Sequence, residues 1–226
     1  QRFPPDEILG LFCDPLFEHP TTYAHIETMR RLYQVEIRRI SNGSVEDQVL
    51  KHKRFPHAKA RFCTEELKIW PSKRFYEQLA VEQKKGFEVW YGVRQQESPD
   101  RAKRYAMKVC DEVYPPHEFM AKYPKKLAKL GVSFRLPIVD WGTSEVLAIL
   151  EGNQNPLYAE GFDRVGCFPC LASGDAWKRK AFEHDASGAW HYQVVRFLEK
   201  EIGKPVWTSK KELNKDSGSG CALCSI

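Results

Sequence analysis

The sequence lacks the features that would place the protein in a membrane or in a secretory pathway. No apolar run approaches the roughly 20 residues of a membrane span, and the start, QRFPPDEILG, does not resemble a signal peptide. The 7 cysteines are an odd number in 226 residues, which argues against a closed set of disulfides. We therefore expect a cytoplasmic protein in a reducing compartment, where grouped cysteines hold metal or perform chemistry.

The excess of positive over negative charge in the sequence is also small. Lys and Arg number 35 against 30 Asp and Glu, which gives a net charge of +5, and 42% of the residues are hydrophobic. This is an ordinary globular composition. The mild basic excess is compatible with a phosphate-bearing partner, but by itself it does not indicate a nucleic-acid-binding protein.

The hydrophobic pattern predicts a strand, a helix and a strand in succession. Residues 7–13 form a short apolar run, residues 20–33 carry apolar side chains three or four apart, and residues 35–40 predict a second strand. This order is typical of an α/β fold with a mostly parallel sheet. Further along we expect a mobile loop at 41–59, a helix at 64–83 interrupted at Pro71, a strand at 87–93, and helices at 144–152 and 190–203.

The cysteines contain two C-x2-C pairs, Cys167 with Cys170 and Cys221 with Cys224. Two such pairs make a four-sulfur site that suits zinc or an iron–sulfur cluster, and the spacing alone does not choose between them. The alternatives are unrelated cysteines, or a tail thiolate that attacks an electrophile in an active site. Cys13 is most simply a core residue.

Two basic segments predict anion sites. Thr64 is placed to cap a helix between Arg61 and Lys68, and helix N-termini flanked by cations bind anions. Arg94 and Arg101 follow a predicted strand, where ligands bind in open α/β sheets, and Glu97 can orient one of them. The alternative in both cases is ordinary surface charge. Arg164 lies between two glycines ahead of Cys167 and can point toward the same anion.

Several segments in order resemble the phosphoadenosine phosphosulfate (PAPS) reductase family of the adenine-nucleotide α-hydrolase superfamily. They are FCDPLFEHPTTYAHI at 12–26, RFCTEELKIWP at 61–71, GVRQQESPDRAK at 92–103, PIVDWGTSEVLAIL at 137–150 and NPLYAEGFDRVGCFPC at 155–170. The resemblance implies a doubly wound, mostly parallel α/β domain over residues 1–165 and a cysteine-rich, helical metal- or cluster-binding subdomain over 166–226.

The resemblance also implies a site and an activity. Arg61, Lys68, Arg94 and Arg101 would lie near the phosphates or sulfate of PAPS or ATP, Asp14 at a strand end beside the nucleotide, and Arg164 toward the cleft. Family members reduce sulfonucleotides with a C-terminal cysteine and a thioredoxin-like reductant. Relatives install sulfur into nucleic acid after activation by ATP, with a 4Fe–4S cluster or a cysteine desulfurase. The resemblance therefore favours a 4Fe–4S cluster over zinc, and it is compatible with a homo-oligomer.

The chain departs from the family pattern at two places. A Ser-Gly-Gly-Lys-Asp-Ser phosphate loop is absent from the sequence, so we expect either a truncated chain or weakened nucleotide binding. Lys215–Gly220 has a similar residue composition, but no predicted strand flanks it. The tail ends in Cys-Ala-Leu-Cys instead of holding one cysteine, which favours metal ligands. The competing hypothesis is a non-enzymatic binding protein that a bound metal stabilises. It would contact nucleic acid through Trp177 and the cations at 178–180, or it would bind a partner protein.

Overall fold

A parallel pair of strands opens the fold. The computed structural model describes residues 3–57 and 60–218. Within it, β1 (Leu9–Asp14) pairs with β2 (Glu36–Ser41) in register from Leu9 opposite Glu36 to Asp14 opposite Ser41, and α1 (Pro20–Tyr33) connects them. The predicted strand–helix–strand order is confirmed.

The segment after β2 corrects one prediction. We expected a mobile loop over 41–59, but residues Val45–His52 form α2. The side chain of Ser44 accepts a hydrogen bond from the Asp47 amide, and the Asp47 carboxylate accepts one from the Ser44 amide, so a complete capping box starts the helix. Only Val45 and Val49 supply a buried apolar face, a pattern too short to signal a helix by periodicity.

The helical segment that follows is irregular before Pro71 and not at it. A single turn, α3 (Phe62–Thr64), leads into a π-helix over Glu65–Ile69, and α4 (Trp70–Gln83) then continues with Pro71 in its first turn. Pro71 lies in the first turn of α4, a position that tolerates proline. The predicted interruption at Pro71 is therefore wrong, and the irregular turn is the one that carries Lys68.

The chain divides into two compact units. One comprises the residues up to Lys68 together with those from Asn155 onward, and the other comprises Ile69–Gln154. In the first unit, α9 (Asp175–Phe182), α10 (Ala186–Ile202) and α11 (Lys210–Gly218) follow the C-x2-C pair, and α10 packs against both α2 and α9. The core of this unit contains Phe17, Val49, Leu67, Leu198 and Trp207, among others. Residues on both sides of the predicted boundary at 165 thus share one unit, and that domain boundary stays a prediction.

The second unit contains a three-stranded sheet in the order β3-β5-β4. β3 (Glu88–Trp90) runs parallel to β5 (Ser133–Arg135), and β4 (Val113–Tyr114) runs antiparallel to it, so the strands are shorter than the sequence pattern suggested. The other helices of this unit are α5 (Pro99–Tyr105), α6 (Pro116–Phe119), α7 (Lys125–Lys129) and α8 (Thr143–Leu150).

An aromatic core supports this second sheet. Phe134 is fully buried on β5, and the rings of Tyr76, Tyr91 and Tyr123 pack around it. The three tyrosine hydroxyls form one chain: Tyr76 to Tyr91 at 3.2 Å, Tyr91 to Tyr123 at 2.6 Å, and Tyr123 to Ser72 at 2.9 Å. Each buried hydroxyl therefore has a partner, as burial requires.

Helices alternate with parallel strand pairs in both units, so the predicted α/β class is confirmed. Across residues 3–57 and 60–218, no helix is long and apolar enough to span a membrane.

Candidate functional site

The carboxyl end of β1 carries a fully buried carboxylate. Asp14 accepts hydrogen bonds from the Leu16 amide at 2.8 Å and the Tyr23 hydroxyl at 2.9 Å, and its other oxygen pairs with Arg39. The strand-end position is confirmed. These three partners all belong to the fold itself, so Asp14 fixes the turn after β1. A contact with nucleotide stays a prediction.

Next to this turn, thiols from two distant segments lie within electrostatic range of one cation. Lys68, on the π-helix, is half-buried, and the charges of Cys63, Cys167, Cys170 and Glu18 all act on its ammonium. Cys63 and Cys170 also act on each other. The sequence analysis assigned Lys68 to an anion site, and Cys63 lies inside the same motif at 61–71. The structure joins both residues to the first C-x2-C pair.

Backbone contacts hold the C-x2-C segment against the residues after β1. Glu18 and Cys167 form an antiparallel bridge, and the Phe168 amide donates to the Phe17 carbonyl at 2.8 Å. The Cys167 thiol acts to lower the pKa of the Glu18 carboxyl. The Oε2 atom of Glu18 is buried and accepts no hydrogen bond from the part of the chain that the structure describes.

The pKa values of this cluster follow from burial and from Lys68. Burial raises the pKa of Glu18 to about 7 although Lys68 opposes the shift. Burial likewise raises the pKa of the Cys167 thiol to about 12, and it raises that of Cys63. Burial acts to lower the pKa of Lys68, but Cys167, Glu18, Cys170 and Cys63 more than offset it, so the pKa of this ammonium is raised. Lys68 thus stays charged and favours the thiolate form of its neighbours.

Cys13, which we interpreted as a core residue, lies within the field of the same cation. It is half-buried near the end of β1; burial raises the pKa of its thiol to about 11, and the charge of Lys68 opposes that shift. No signal in the sequence connected Cys13 with Lys68, because 55 positions separate the two residues and only the folded chain brings them together.

A histidine and an aspartate support the C-x2-C segment. His19 is buried, its Nδ1 accepts the Thr21 amide at 3.1 Å at the start of α1, and its Nε2 lies 2.8 Å from Asp185, the N-cap of α10. The ring of Phe168 packs edge-on against His19 at 4.8 Å. Sequence reasoning missed this support, although a His before Pro20 at a helix start is a recognisable capping position.

The first predicted anion motif is only partly as expected. The helical segment begins at Phe62 with Arg61 as its N-cap, and Arg61 makes no side-chain capping bond. The prediction that Thr64 caps this helix is therefore wrong, because Thr64 lies inside it. Arg61, Thr64 and Arg164 are exposed, and their contact with a nucleotide stays a prediction.

The second predicted anion motif belongs to the second unit. Glu97 pairs with Arg101 and lies 3.9 Å from the Nε of Arg94, so the predicted orienting carboxylate contacts both arginines. Arg94 also donates to the hydroxyl of Thr143 at 3.3 Å, at the start of α8. A planar guanidinium held in this way can grip a phosphate or a sulfate. Binding of an anion at this motif stays a prediction.

The predicted four-sulfur site is only half described. Cys221 and Cys224 lie outside the described residues, and within the described ranges no three His, Cys, Asp or Glu side chains converge as a metal-binding group. The donor chemistry of Cys167 and Cys170, soft sulfur beside a cation, suits a thiolate-held zinc or iron–sulfur group. Further ligands would have to come from the tail pair or from movement of Cys63.

The cations at 178–180 do not form the exposed basic face that the nucleic-acid hypothesis required. Lys178 is fully buried; it pairs with Asp175 at 2.7 Å and donates to the Val206 carbonyl at 2.5 Å. Arg179 pairs with Glu212 at 2.6 Å, and Lys180 donates to the Gly161 carbonyl. These residues fasten α9 to its neighbours.

Residues 2–173 match the family model of the phosphoadenosine phosphosulfate reductase domain. This match covers well over half of the chain, so the protein belongs to the PAPS reductase family. The resemblance seen in the sequence motifs is thereby confirmed.

Curated relatives and a solved structure give less specific information. An uncharacterised 37.8 kDa protein of Escherichia phage 186 is 31% identical over 66% of this chain and 39% of its own length. An uncharacterised protein of Methanocaldococcus jannaschii is 28% identical over 72% of this chain and 30% of its own length. The chain thus spans well under half of either relative. The match to a PAPS reductase from Candida auris, solved as a phosphate complex, covers 72% of this chain and 70% of that chain at 21% identity, with a TM-score of 0.44.

Proposed function

We propose that this protein binds an adenine nucleotide, PAPS or ATP, and carries out sulfonucleotide reduction or nucleotide-activated sulfur transfer. The observation that supports this proposal most is that Cys63, Cys167 and Cys170 lie within electrostatic range of Lys68 in a member of the PAPS reductase family. In α/β folds, ligands bind outside the carboxyl ends of parallel strands, and Cys13 and Asp14 end β1 beside this group.

In the reductive reaction, a cysteine thiolate attacks the sulfur of the sulfonucleotide. The S–O bond to the nucleotide breaks, the nucleoside phosphate leaves with the electron pair, and the protein carries an S-sulfonate. A thiol of a thioredoxin-like reductant then attacks the cysteine sulfur, so that a disulfide forms and sulfite leaves. Cys221 and Cys224 are the proposed nucleophiles, and arginine side chains would stabilise the charge of the leaving phosphate.

In the sulfur-transfer reaction, ATP adenylates an acceptor, for which nucleic acid is the proposed class, and pyrophosphate leaves. The outer sulfur of a cysteine persulfide formed by a cysteine desulfurase then attacks the activated atom and AMP leaves, and a thiol reductant cleaves the resulting disulfide so that the sulfur stays on the acceptor. A 4Fe–4S cluster held by Cys167 and Cys170 with the tail cysteines would supply an electron-rich sulfur centre when bound. Lys68 would balance the negative charge of its thiolate ligands. The five described cysteines are free thiols, which accords with the reducing, cytoplasmic location that we propose.

The test compares sulfite release from PAPS in the presence of thioredoxin with adenylate transfer from ATP. We expect Lys68→Met to reduce either activity by at least about tenfold, because loss of the cation disfavours the thiolates around it, whereas Lys68→Arg retains part of the activity. Lys85→Met, an exposed lysine beyond α4, is the matched control. Neither activity in the wild-type protein, with no nucleotide bound in calorimetry, would contradict the proposal.

A further inference from the structure

Positive charge is concentrated where α2 and α10 end and α11 begins. We call five exposed cations at this place the basic patch: Lys53, Arg54, Lys200, Lys204 and Lys210. None of these five side chains forms an ion pair with a carboxylate of the described residues. All five belong to the first unit, so they can act as one surface.

Contacts between the three helices hold the patch together. The Nζ of Lys204 donates to the Lys53 carbonyl at 3.0 Å, so the two lysines meet through a neutral group and both keep their charge. Lys200 and Lys204 line a cavity of about 370 Å³ together with Leu213 of α11. Lys210 precedes Leu213 by three residues, and side chains at this spacing share a helix face. The ends of α2 and α10 and the start of α11 therefore present their cations to one surface.

The cavity inside the patch is lined by hydrogen-bond donors. Glu199 is its carboxylate among the described residues, and its two oxygens already accept the Arg196 guanidinium and the Val206 amide, each at 2.6 Å. The indole of Trp207 is buried beside the same cavity, and its N–H has no acceptor in the part of the chain that the structure describes. Buried donors normally have a partner. Cations and donors without matching acceptors suit an anionic ligand.

The dipoles of the helices account for only part of the positive charge. α2 and α10 both end at the patch, with Lys53 and Gly203 as their C-caps, and the carboxyl end of a helix is equivalent to about −0.5 of an elementary charge. The two ends together offset about one of the five cations, and the exposed Glu201 offsets another. An excess of about three positive charges is left for a ligand.

An exposed aromatic side chain lies beside these cations. Phe197 is 57% exposed and precedes Lys200 by three residues on α10, so the ring and the ammonium share a helix face. Cationic surfaces with exposed rings are typical of proteins that bind single strands, because the cations neutralise phosphates and the bases stack on the rings.

We propose that the basic patch binds the phosphate backbone of a single-stranded nucleic acid, with Phe197 as a platform on which a base stacks. The proposal assigns a surface to the nucleic-acid acceptor of the sulfur-transfer reaction, and to that extent it rests on the proposed function. Binding itself requires neither nucleotide nor turnover, so it can be measured separately from any activity.

Fluorescence anisotropy of the full chain with a labelled oligothymidylate of about 20 nucleotides tests the proposal. For five phosphate contacts, the slope of log affinity against log salt concentration should be about −3.5, which is a loss of about 100-fold between about 50 and 200 mM salt. Lys200→Gln combined with Lys204→Gln should make this slope shallower by about 1.4 and lower the affinity at low salt at least about fivefold. Lys84→Gln combined with Lys85→Gln removes the same charge from exposed lysines of the second unit and should change neither quantity.

Phe197→Ala separates stacking from charge. It should lower the affinity at least about fivefold and leave the salt slope unchanged, because the ring carries no charge. Circular dichroism confirms that each variant is folded.

Several results would overturn the proposal. They are no binding at low salt, an equal loss in the Lys84 and Lys85 control, and a Phe197→Ala protein with wild-type affinity. Binding to phosphatidylserine vesicles in place of the oligonucleotide would assign the patch to a membrane. Competition by poly-aspartate as effective as that by unlabelled oligonucleotide would assign it to an acidic protein. Oligonucleotide binding with the expected variant pattern, in a protein that turns over neither PAPS nor ATP, would support the patch and contradict the proposed function alone.

Discussion

The buried pair of Lys178 and Asp175 makes the sharpest prediction about stability. Lys178 is completely buried, and its ammonium contacts the Asp175 carboxylate at 2.7 Å and the Val206 carbonyl at 2.5 Å. Asp175 in turn accepts the Ser209 amide at 2.7 Å and the Thr208 amide at 3.0 Å. One ion pair therefore fixes the segment that connects α10 to α11.

Replacement of the lysine by methionine preserves the length of the chain and removes the charge. Removal of one partner from a buried ion pair typically costs about 3–5 kcal/mol, because the other charge stays buried. Asp175 would retain its two amide donors, so we expect Lys178→Met to lower the free energy of unfolding by about 3 kcal/mol, the lower end of that range. Lys180→Met, an exposed neighbour on the same helix, should change it by less than about 1 kcal/mol.

The pH dependence of the same variant checks the cause. Burial acts to raise the pKa of Asp175, but Lys178 and the Ser209 and Thr208 amides lower it well below its usual range. A depressed carboxyl pKa stabilises the fold above the unfolded value of about 3.9, and this stabilisation is lost as the pH falls through the folded value. In urea unfolding, the difference in the free energy of unfolding between wild type and Lys178→Met should therefore become smaller below pH ~4. A loss no larger than that of Lys180→Met would refute the reasoning.

Two other variants test further parts of the structure. Tyr91→Phe removes the central hydroxyl of the tyrosine chain and with it the hydrogen bonds to Tyr76 and Tyr123, so at about 0.5–1.5 kcal/mol for each bond it should cost about 1–3 kcal/mol in urea unfolding, whereas Tyr33→Phe, at an exposed ring, should cost almost nothing. Burial raises the pKa of Glu18 to about 7, so the wild type should lose stability as the pH rises from about 4.3 to 7, by up to about 3 kcal/mol. Glu18→Gln should not lose stability over this pH range. Equal slopes of the free energy of unfolding against pH for the two proteins would contradict the burial of the Glu18 carboxylate.

Hydrophobic patterns in the sequence correctly predicted the elements that have a long apolar run or a clear helical period. The apolar run before Asp14, the helical period after Pro20 and the second strand were enough to specify the strand–helix–strand unit. The helix at Val45–His52 was missed because its stability comes from a capping box and two buried valines, and not from a long apolar face. The irregularity at Glu65–Ile69 was placed at Pro71 because proline is the visible helix breaker, whereas no sequence pattern signals a π-helix.

The candidate site shows the same limit more clearly. Spacing identified Cys167 and Cys170 as a pair, since two intervening residues let both thiols face one ligand. It could not identify Cys63 as a neighbour of that pair or Cys13 as a neighbour of Lys68, because tertiary contacts such as the bridge between Glu18 and Cys167 bring these segments together. Family motifs named Lys68 as an anion-binding residue, but they did not show that thiols lie within electrostatic range of its ammonium.

This arrangement of Lys68 changes which chemistry the site favours. A lysine that only gripped phosphate would need no thiols beside it, and buried thiols without a cation would have high pKa values and be unreactive. In this cluster burial raises the pKa of Cys167 to about 12 while Lys68 opposes the shift, so the thiol is inert until a further positive group arrives or its proton is removed by a base. Bound metal supplies such a positive group and deprotonates its thiol ligands outright. Under the proposed function these thiols would hold a thiolate-ligated cofactor, and in a reductive reaction the tail cysteines would be the nucleophiles.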